Sequence, residues 1–181
     1  MAGRYFVIKY KWGFAEVMEK AGEYKIIQTD QRGCLTAAIT RKFEEKPVEI
    51  REYTEYNEKE IVRLYTEVGW TAYTDNLSIL RKGFENSLLV LGAYENNELA
   101  GIIRVVGDGF TIVFVQDILV FPDQQRKGVG RALLQEIFDR YKNVRQIELA
   151  TDNTPKTIAF YKSMGFSEFS ELGCCGFMKC G

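Results

Sequence analysis

Apolar residues at Ile61, Leu64, Tyr65 and Val68 fall at i, i+3, i+4 and i+7, the spacing of one helical face, and Gly69 ends the run. Asn57-x-x-Glu60 just ahead of them is a capping-box pattern. A second helix is predicted from near Thr74-Asp75 to about Gly83. The pattern then turns to β-rich apolar runs at 88–94 and 99–106, joined by Glu95-Asn96-Asn97-Glu98, and Asp108-Gly109 turns the chain into a third run at 110–120. Residues 128–142 return to helical spacing, with Gly130, Leu133, Leu134, Ile137, Phe138 and Tyr141 on one face. A strand at 146–151 follows. Thr154-Pro155 supplies an N-cap and an N1 proline for a helix that Gly165 ends. Final strands are expected near 167–170 and 173–179.

The three prolines each fall at a boundary. Pro47 follows the polar run Arg41-Lys42-Phe43-Glu44-Glu45-Lys46, so a junction is placed there, between a β-rich extension at 1–46 and a main domain at 47–181. In the extension, 5–11, 24–29 and 34–40 read as strands, 31–33 as a turn, and 14–21 as either helix or strand. So short a piece has little core of its own and is expected to pack on the rest. After Pro47, a strand at 48–52 completes the order β-α-α-β-β-β-α-β-α-β-β, an α/β (α+β) chain with a mixed sheet flanked by helices.

Composition narrows the chemistry. With 181 residues, 24 Lys+Arg against 25 Asp+Glu and 46% hydrophobic positions, the chain has the make-up of a globular domain plus a small appendage. A net charge of −1 carries no basic footprint for nucleic acid or anionic lipid, although residues 1–47 hold nine Lys/Arg and six Asp/Glu, hence +3. There is no histidine, which excludes Ser-His-Asp and Cys-His catalysis, histidine bases and histidine-bearing zinc sites. Cys34, Cys174, Cys175 and Cys180 form no CxxC and read as reduced thiols rather than metal ligands, so no metal is expected. No apolar run is long enough to span a bilayer, and Met1-Ala2-Gly3-Arg4-Tyr5-Phe6 lacks a signal-peptide h-region. A cytoplasmic location is expected.

The most informative segment is Gln125-Arg126-Lys127-Gly128-Val129-Gly130, between a strand and a helix. The first N–H groups of a helix are unpaired and partly positive, glycines let a phosphate approach them, and Arg126, Lys127 and Arg131 add charge. A diphosphate-bearing ligand is the physical expectation. The segment is neither a Walker loop nor a full Gly-x-Gly-x-x-Gly fingerprint.

This hexamer resembles the Gln/Arg-x-x-Gly-x-Gly/Ala motif of the GNAT superfamily of N-acetyltransferases. Phe160-Tyr161-Lys162-Ser163-Met164-Gly165-Phe166 is similar to that family's second motif, and the likeness covers about residues 48–180. The resemblance implies a GNAT-like mixed, mostly antiparallel twisted sheet with acetyl-CoA lying between the fourth and fifth strands. Its pantetheine arm would pair with Ile118, Leu119 and Val120, and its pyrophosphate would sit on Arg126, Lys127, Gly128, Val129, Gly130 and Arg131. It implies direct attack by an amine of a small molecule or peptide, with Tyr161 returning a proton to the leaving thiolate. On spacing alone, Tyr161 reads as a buried core aromatic.

For the amine proton, Asp117 is the first candidate, Glu148 the second and ordered water the third. Gln116-Asp117 stands where relatives such as spermidine/spermine acetyltransferases carry Glu-Asp, and Gln116 cannot take a proton. Asp117 has a structural reading too, hydrogen-bonded to neighbouring backbone. Many relatives place an asparagine contacting CoA where Thr154 stands; Thr154 suits capping instead. Trp70, Tyr73 and Thr74 are candidates for the acceptor wall or for core. Two functions follow: an acetyl-CoA-dependent N-acetyltransferase, or a non-catalytic acyl-CoA-binding or regulatory module of the same fold. For residues 1–46 three roles are open: a cap on the acceptor side, a homodimer contact, or a plain extension.

Overall fold

The computed structural model describes residues 48–179 throughout and, as strands, residues 4–10, 13–20, 23–30 and 35–42. The chain divides into two compact units, Met1–Lys46 and Pro47–Gly181. The first is an antiparallel meander of β1 (Arg4–Tyr10), β2 (Gly13–Lys20), β3 (Glu23–Asp30) and β4 (Leu35–Lys42), in that spatial order. Of the ambiguous 14–21 stretch, residues 14–20 are therefore strand. The turn expected at 31–33 lies outside the described residues.

The second unit contains β5 (Glu49–Glu52), α1 (Glu58–Glu67), α2 (Leu77–Glu85), β6 (Leu89–Glu95), β7 (Glu98–Gly107), β8 (Ile112–Val120), α3 (Val129–Arg140), β9 (Gln146–Leu149) and α4 (Pro155–Ser163). Its five strands lie in chain order. All neighbours are antiparallel except β8 and β9, which the α3 crossover makes parallel. Ile61, Leu64 and Tyr65 of α1 and Leu80 and Phe84 of α2 cover one sheet face, packing with Leu99, Ile102 and Leu119. Leu133, Leu134 and Ile137 of α3, with Phe160 and Tyr161 of α4, cover the other, against Leu91, Ile103, Val105, Val113 and Val115. Each fully buried aliphatic contributes roughly 1.5–3 kcal/mol before entropy is counted.

Local signals explain most boundaries. Asn57 Oδ1 accepts from the Glu60 N–H (3.3 Å), as the capping box predicts. The return bond is relayed: the Asn57 N–H donates to the Tyr53 hydroxyl (3.2 Å), which donates to Glu60 Oε2 (2.9 Å). Asp108 Oδ1 accepts from the N–H groups of Phe110, Thr111 and Ile112, and together with the Thr111 hydroxyl they hold its carboxyl well below the usual range.

Two expectations need correction. The second helix starts later than Thr74-Asp75, because Asn76 caps it by accepting from the Ile79 N–H (3.2 Å) and Thr71–Tyr73 forms a separate 3-10 turn. It also runs through Gly83, whose missing side chain leaves room for Arg104; a Cβ there would sit 3.5 Å from Arg104 Nη1. The strands expected at 167–170 and 173–179 are absent among the described residues. Phe169–Leu172 is a 3-10 turn closed by a Glu168/Glu171 capping box, and Lys162 of α4 pairs with both glutamates. This local hydrogen bonding competes with the extended conformation. Cys174 and Cys175 are exposed thiols on the segment that follows.

Gly107 has φ +135°, and a Cβ on it would collide with the Ile112 carbonyl oxygen, whereas Gly69, at φ +84°, has open space around it. Gly107→Ala should lower the unfolding free energy by about 3 kcal/mol and Gly69→Ala by about 1 kcal/mol, since only the first adds a steric clash to the backbone cost. Urea denaturation of the two variants against the parent chain checks the difference.

Candidate active site

The site begins where β8 and β9 part. Their parallel pairing runs from Ile112 opposite Gln146 to Val115 opposite Leu149 and stops, so β8 continues from Gln116 to Val120 without β9 beside it. On its other edge β8 stays paired with β7 to Val120 opposite Gly101. The Phe121 N–H donates to the Ala100 carbonyl (3.0 Å). By the alternation of an antiparallel ladder, Ile118 and Val120 therefore turn their N–H and C=O groups to the open edge, while Leu119 turns its own toward β7. The Val120 carbonyl accepts from Gln125 Nε2 (3.2 Å).

The open edge leads into the glycine loop. Gly128 is left-handed at φ +85° and caps α3 through its backbone alone, with no side-chain capping bond. The first intrahelical bond runs from the Ala132 N–H to the Gly128 carbonyl (2.9 Å), so the N–H groups of Val129, Gly130 and Arg131 precede it. A Cβ on Gly130 would touch Phe160, Ile118 and Val120 at 3.6–3.8 Å; the missing side chain keeps this floor low. Arg131 Nη2 donates to Ser163 Oγ (3.1 Å) and Lys127 Nζ to Gln124 Oε1 (2.9 Å). Among the described residues, neither these two cations nor Arg126 forms an ion pair. Exposed donors, free cations and a bare strand edge fit a long ligand with an anionic diphosphate and an amide-bearing arm.

Tyr161 lies on α4, half-buried, edge-on to Phe160 (5.1 Å between ring centroids) and Phe166 (5.7 Å). Burial pushes its hydroxyl above the ordinary value of 10, and the neighbouring Thr151 hydroxyl pulls the other way.

Asp117 is placed by a register break. Between Arg104 and Val105 the β7–β8 pairing shifts: Arg104 faces Asp117, Val105 faces Val115, and Gln116 is the extra residue of a bulge. Val113 and Val115 point to the α3 layer, and an unbroken alternation would send Asp117 there as well. The bulge turns it to the α1 face instead. There Tyr65 donates its hydroxyl to Asp117 Oδ2 (2.6 Å) and Arg104 Nε donates to the same oxygen (2.5 Å). Asp117 is 1% exposed and its Oδ1 has no partner among the described residues. Arg104 Nη1 also reaches the Gly83 carbonyl and Ser87 Oγ, both at 3.3 Å. Burial and the adjacent carboxylate push the Tyr65 hydroxyl far above its ordinary value, so it remains a donor. The first candidate for the amine proton is thus buried, with Oδ2 shared by Tyr65 and Arg104.

Glu148 is half-buried on β9 opposite Phe114, one rung from the end of the β8–β9 pairing. It accepts from Gln146 Nε2 (2.6 Å), and no cation pairs with it among the described residues. Trp70 and Tyr73 are 39% and 41% exposed and stack on each other (5.6 Å, 21°). Both also rest against the Tyr65 ring, at 6.4 and 5.6 Å. Thr74 instead turns its hydroxyl to the Thr71 carbonyl (2.8 Å). Thr154 caps α4 as expected, accepting from the Thr157 N–H (3.3 Å). A separate cavity of about 740 Å³, lined by Tyr53, Tyr56, Asn57 and Tyr94 among others, lies by the β5 edge and shares no residue with this site.

Tyr65 and Arg104 were not singled out for chemistry by the sequence. Tyr65 satisfied the helical period and so read as core. Arg104 carried the stronger signal, a lone charge inside the apolar run Leu99–Val106 that demands a buried acidic partner.

A strand pair thus parts beside a helix that starts at a left-handed glycine. The Acetyltransferase (GNAT) family model matches residues 51–166, and the chain belongs to that family. A GNAT family acetyltransferase from Streptococcus pneumoniae TIGR4 is similar in structure, with a TM-score of 0.67 and 36% identity, over 75% of this chain and 98% of that one. The chain is also 25% identical to an uncharacterized N-acetyltransferase, ycf52, of Pyropia yezoensis over 69% of its length and 73% of the relative's. It is 36% identical to the ribosomal protein bS18 alanine N-acetyltransferase of Escherichia coli, over 41% of this chain and 51% of that one. Among the described residues no helix is long and apolar enough to cross a membrane, and no group of three metal-capable side chains occurs.

Removing one member of a buried ion pair leaves the other uncompensated. Arg104→Met should cost about 3–5 kcal/mol of unfolding free energy, and the Arg104→Met/Asp117→Leu double variant should lose less than the sum of the two single ones. Urea titration of the three variants measures the coupling.

Proposed function

We propose that this protein transfers an acetyl group from acetyl-CoA to a primary amine of a small molecule or peptide. The observation that carries the reading is the continuity of the open β8 edge with the start of α3. The Ile118 and Val120 backbones would pair with the pantetheine arm. The N–H groups of Val129, Gly130 and Arg131, with the Arg126, Lys127 and Arg131 side chains, would hold the pyrophosphate. Leu119 contributes packing rather than backbone pairing, because its polar groups serve β7. Acetyl-CoA, when bound, would supply an acyl carbonyl activated as a thioester.

Tyr161 holds the proton that the leaving thiolate takes up. Its hydroxyl stays protonated past neutral pH and so carries the proton, while burial, by raising its pKa, makes it a weaker acid. The amine proton goes to Glu148 or to water. Asp117 is engaged by Arg104 and Tyr65, and we assign it the anchoring of the bulge. Trp70 and Tyr73, half-exposed on the α1 side, line the acceptor. An amine acceptor agrees with the name of the Escherichia coli relative, which states a protein alanine. The non-catalytic reading retains one supporting observation, the carboxamide of Gln116 at the bulge.

Thiol release from acetyl-CoA across aliphatic diamines, arylalkylamines and alanine-initiated peptides tests the proposal. Acceptor-dependent release is expected with at least one class; tight acetyl-CoA binding without release on any of them would establish the non-catalytic module instead. Tyr161→Phe should lower kcat by about 10²–10⁴-fold with little change in the KM for acetyl-CoA. Because the Tyr161 pKa is raised, activity should rise as the acceptor amine deprotonates and show no descending limb from Tyr161 below pH about 10; a pH–rate profile reads this directly. The donor site is assembled from residues after Pro47. Deleting residues 1–46 should therefore leave acetyl-CoA affinity within about twofold by calorimetry.

A further inference from the structure

Tyr65 makes contacts in two directions. Its hydroxyl reaches Asp117 Oδ2 at 2.6 Å, and its ring edge carries the stacked Trp70–Tyr73 pair. Trp70 and Tyr73 sit at a short 3-10 turn with no side-chain cap, and neither ring makes a side-chain hydrogen bond among the described residues. The backbone link from the Trp70 N–H to the Tyr65 carbonyl (2.8 Å) fixes where the turn starts but not how the rings face. Their orientation is left to the Tyr65 ring. That ring is fully buried, and Asp117 holds its far end. Asp117 is in turn set by Arg104 and adjoins Gln116, the extra residue of the bulge where β8 leaves β9. An unbroken chain of contacts thus runs from the strand opening to the exposed aromatic pair.

We infer that Tyr65 is a positioning residue for acceptor binding: its hydroxyl, held by the Arg104–Asp117 pair, sets the Trp70–Tyr73 wall against the bulge of β8. The inference rests on the reading of Trp70 and Tyr73 as the acceptor wall. Tyr65 itself touches no reacting atom. Its influence falls on acceptor affinity, and the donor site, on the opposite face of β8 and at the start of α3, is untouched.

The test uses the full chain carrying Trp12→Phe, which leaves Trp70 as the single tryptophan of the original two. Tyr65→Phe keeps the ring and removes only the hydroxyl. Acrylamide quenching of Trp70 should rise about twofold, and the KM for 2-phenylethylamine as acceptor probe should rise about tenfold. The kcat and the KM for acetyl-CoA should stay within about twofold. Asp117→Asn, which keeps an acceptor oxygen for Tyr65, should shift quenching in the same direction by less. Unchanged quenching in Tyr65→Phe overturns the inference. So does a parallel loss in kcat and both KM values, which would mark general loosening. If the parent chain shows no acceptor-dependent thiol release, the proposed function fails, while the quenching comparison still decides the role of Tyr65. Should Tyr65→Phe not fold, the Asp117→Asn comparison decides it, with unchanged quenching again the overturning result.

Discussion

A buried ion pair and a one-residue bulge hold the centre of this fold together. Arg104 and Asp117 face each other across β7 and β8, and the bulge at Gln116 lets the carboxylate meet Tyr65 on the α1 side. Without the extra residue, Asp117 would point into the aliphatic layer under α3, where a carboxylate has nothing to accept from and its desolvation would cost several kcal/mol. The bulge is therefore tied to the sequence of the whole strand. Valines at 113 and 115 belong to one layer, and the Asp117 and Leu119 side chains to the other. The same break that resolves this conflict also occurs where β9 stops following β8, so the polar network and the opening share one cause.

Around that centre the two sheet faces have separate work. The α3–α4 face carries the proposed donor side: a left-handed glycine, three N–H groups ahead of the first helical bond, cations without an ion pair among the described residues, and a tyrosine set edge-on between two phenylalanines. The α1–α2 face carries the proposed acceptor side, where half-exposed aromatics rest on a buried hydrogen-bonded one. Strand β8 is the wall between them. Alternate residues address alternate faces, and its open backbone edge addresses the space where the two sides meet.

Legibility from sequence followed the range of the forces involved. Asn57, Asp108, Thr154 and Gly128 act within four residues of themselves, and each does what its spacing predicts. The errors lie where a longer-range or competing local interaction decided. Gly83 resembled a helix stop and is a seat for the Arg104 guanidinium, twenty-one positions away. The segment after Gly165 resembled strands, and Lys162 with Glu168 and Glu171 closes it into a 3-10 turn. The partners of Asp117 were equally out of reach: its bond to Tyr65, fifty-two positions earlier, is one that no periodicity could announce.

The sequence by itself determined the order of elements from Pro47 to Gly165, the starts of α1, α3 and α4, the glycine loop with its cations, and an absence of histidine that narrows the proton carriers to carboxylates, tyrosine, cysteine, lysine or water. These are local or compositional properties, carried by neighbouring residues or by simple presence. Tertiary structure alone decided which face of β8 each side chain occupies, since a bulge is a relation between two strands. It also decided which carboxylate is held by a cation, Asp117, and which accepts from a neutral amide, Glu148. The reason is physical: a charge in an apolar interior is defined by its partner, and the partners here meet only when the sheet has formed.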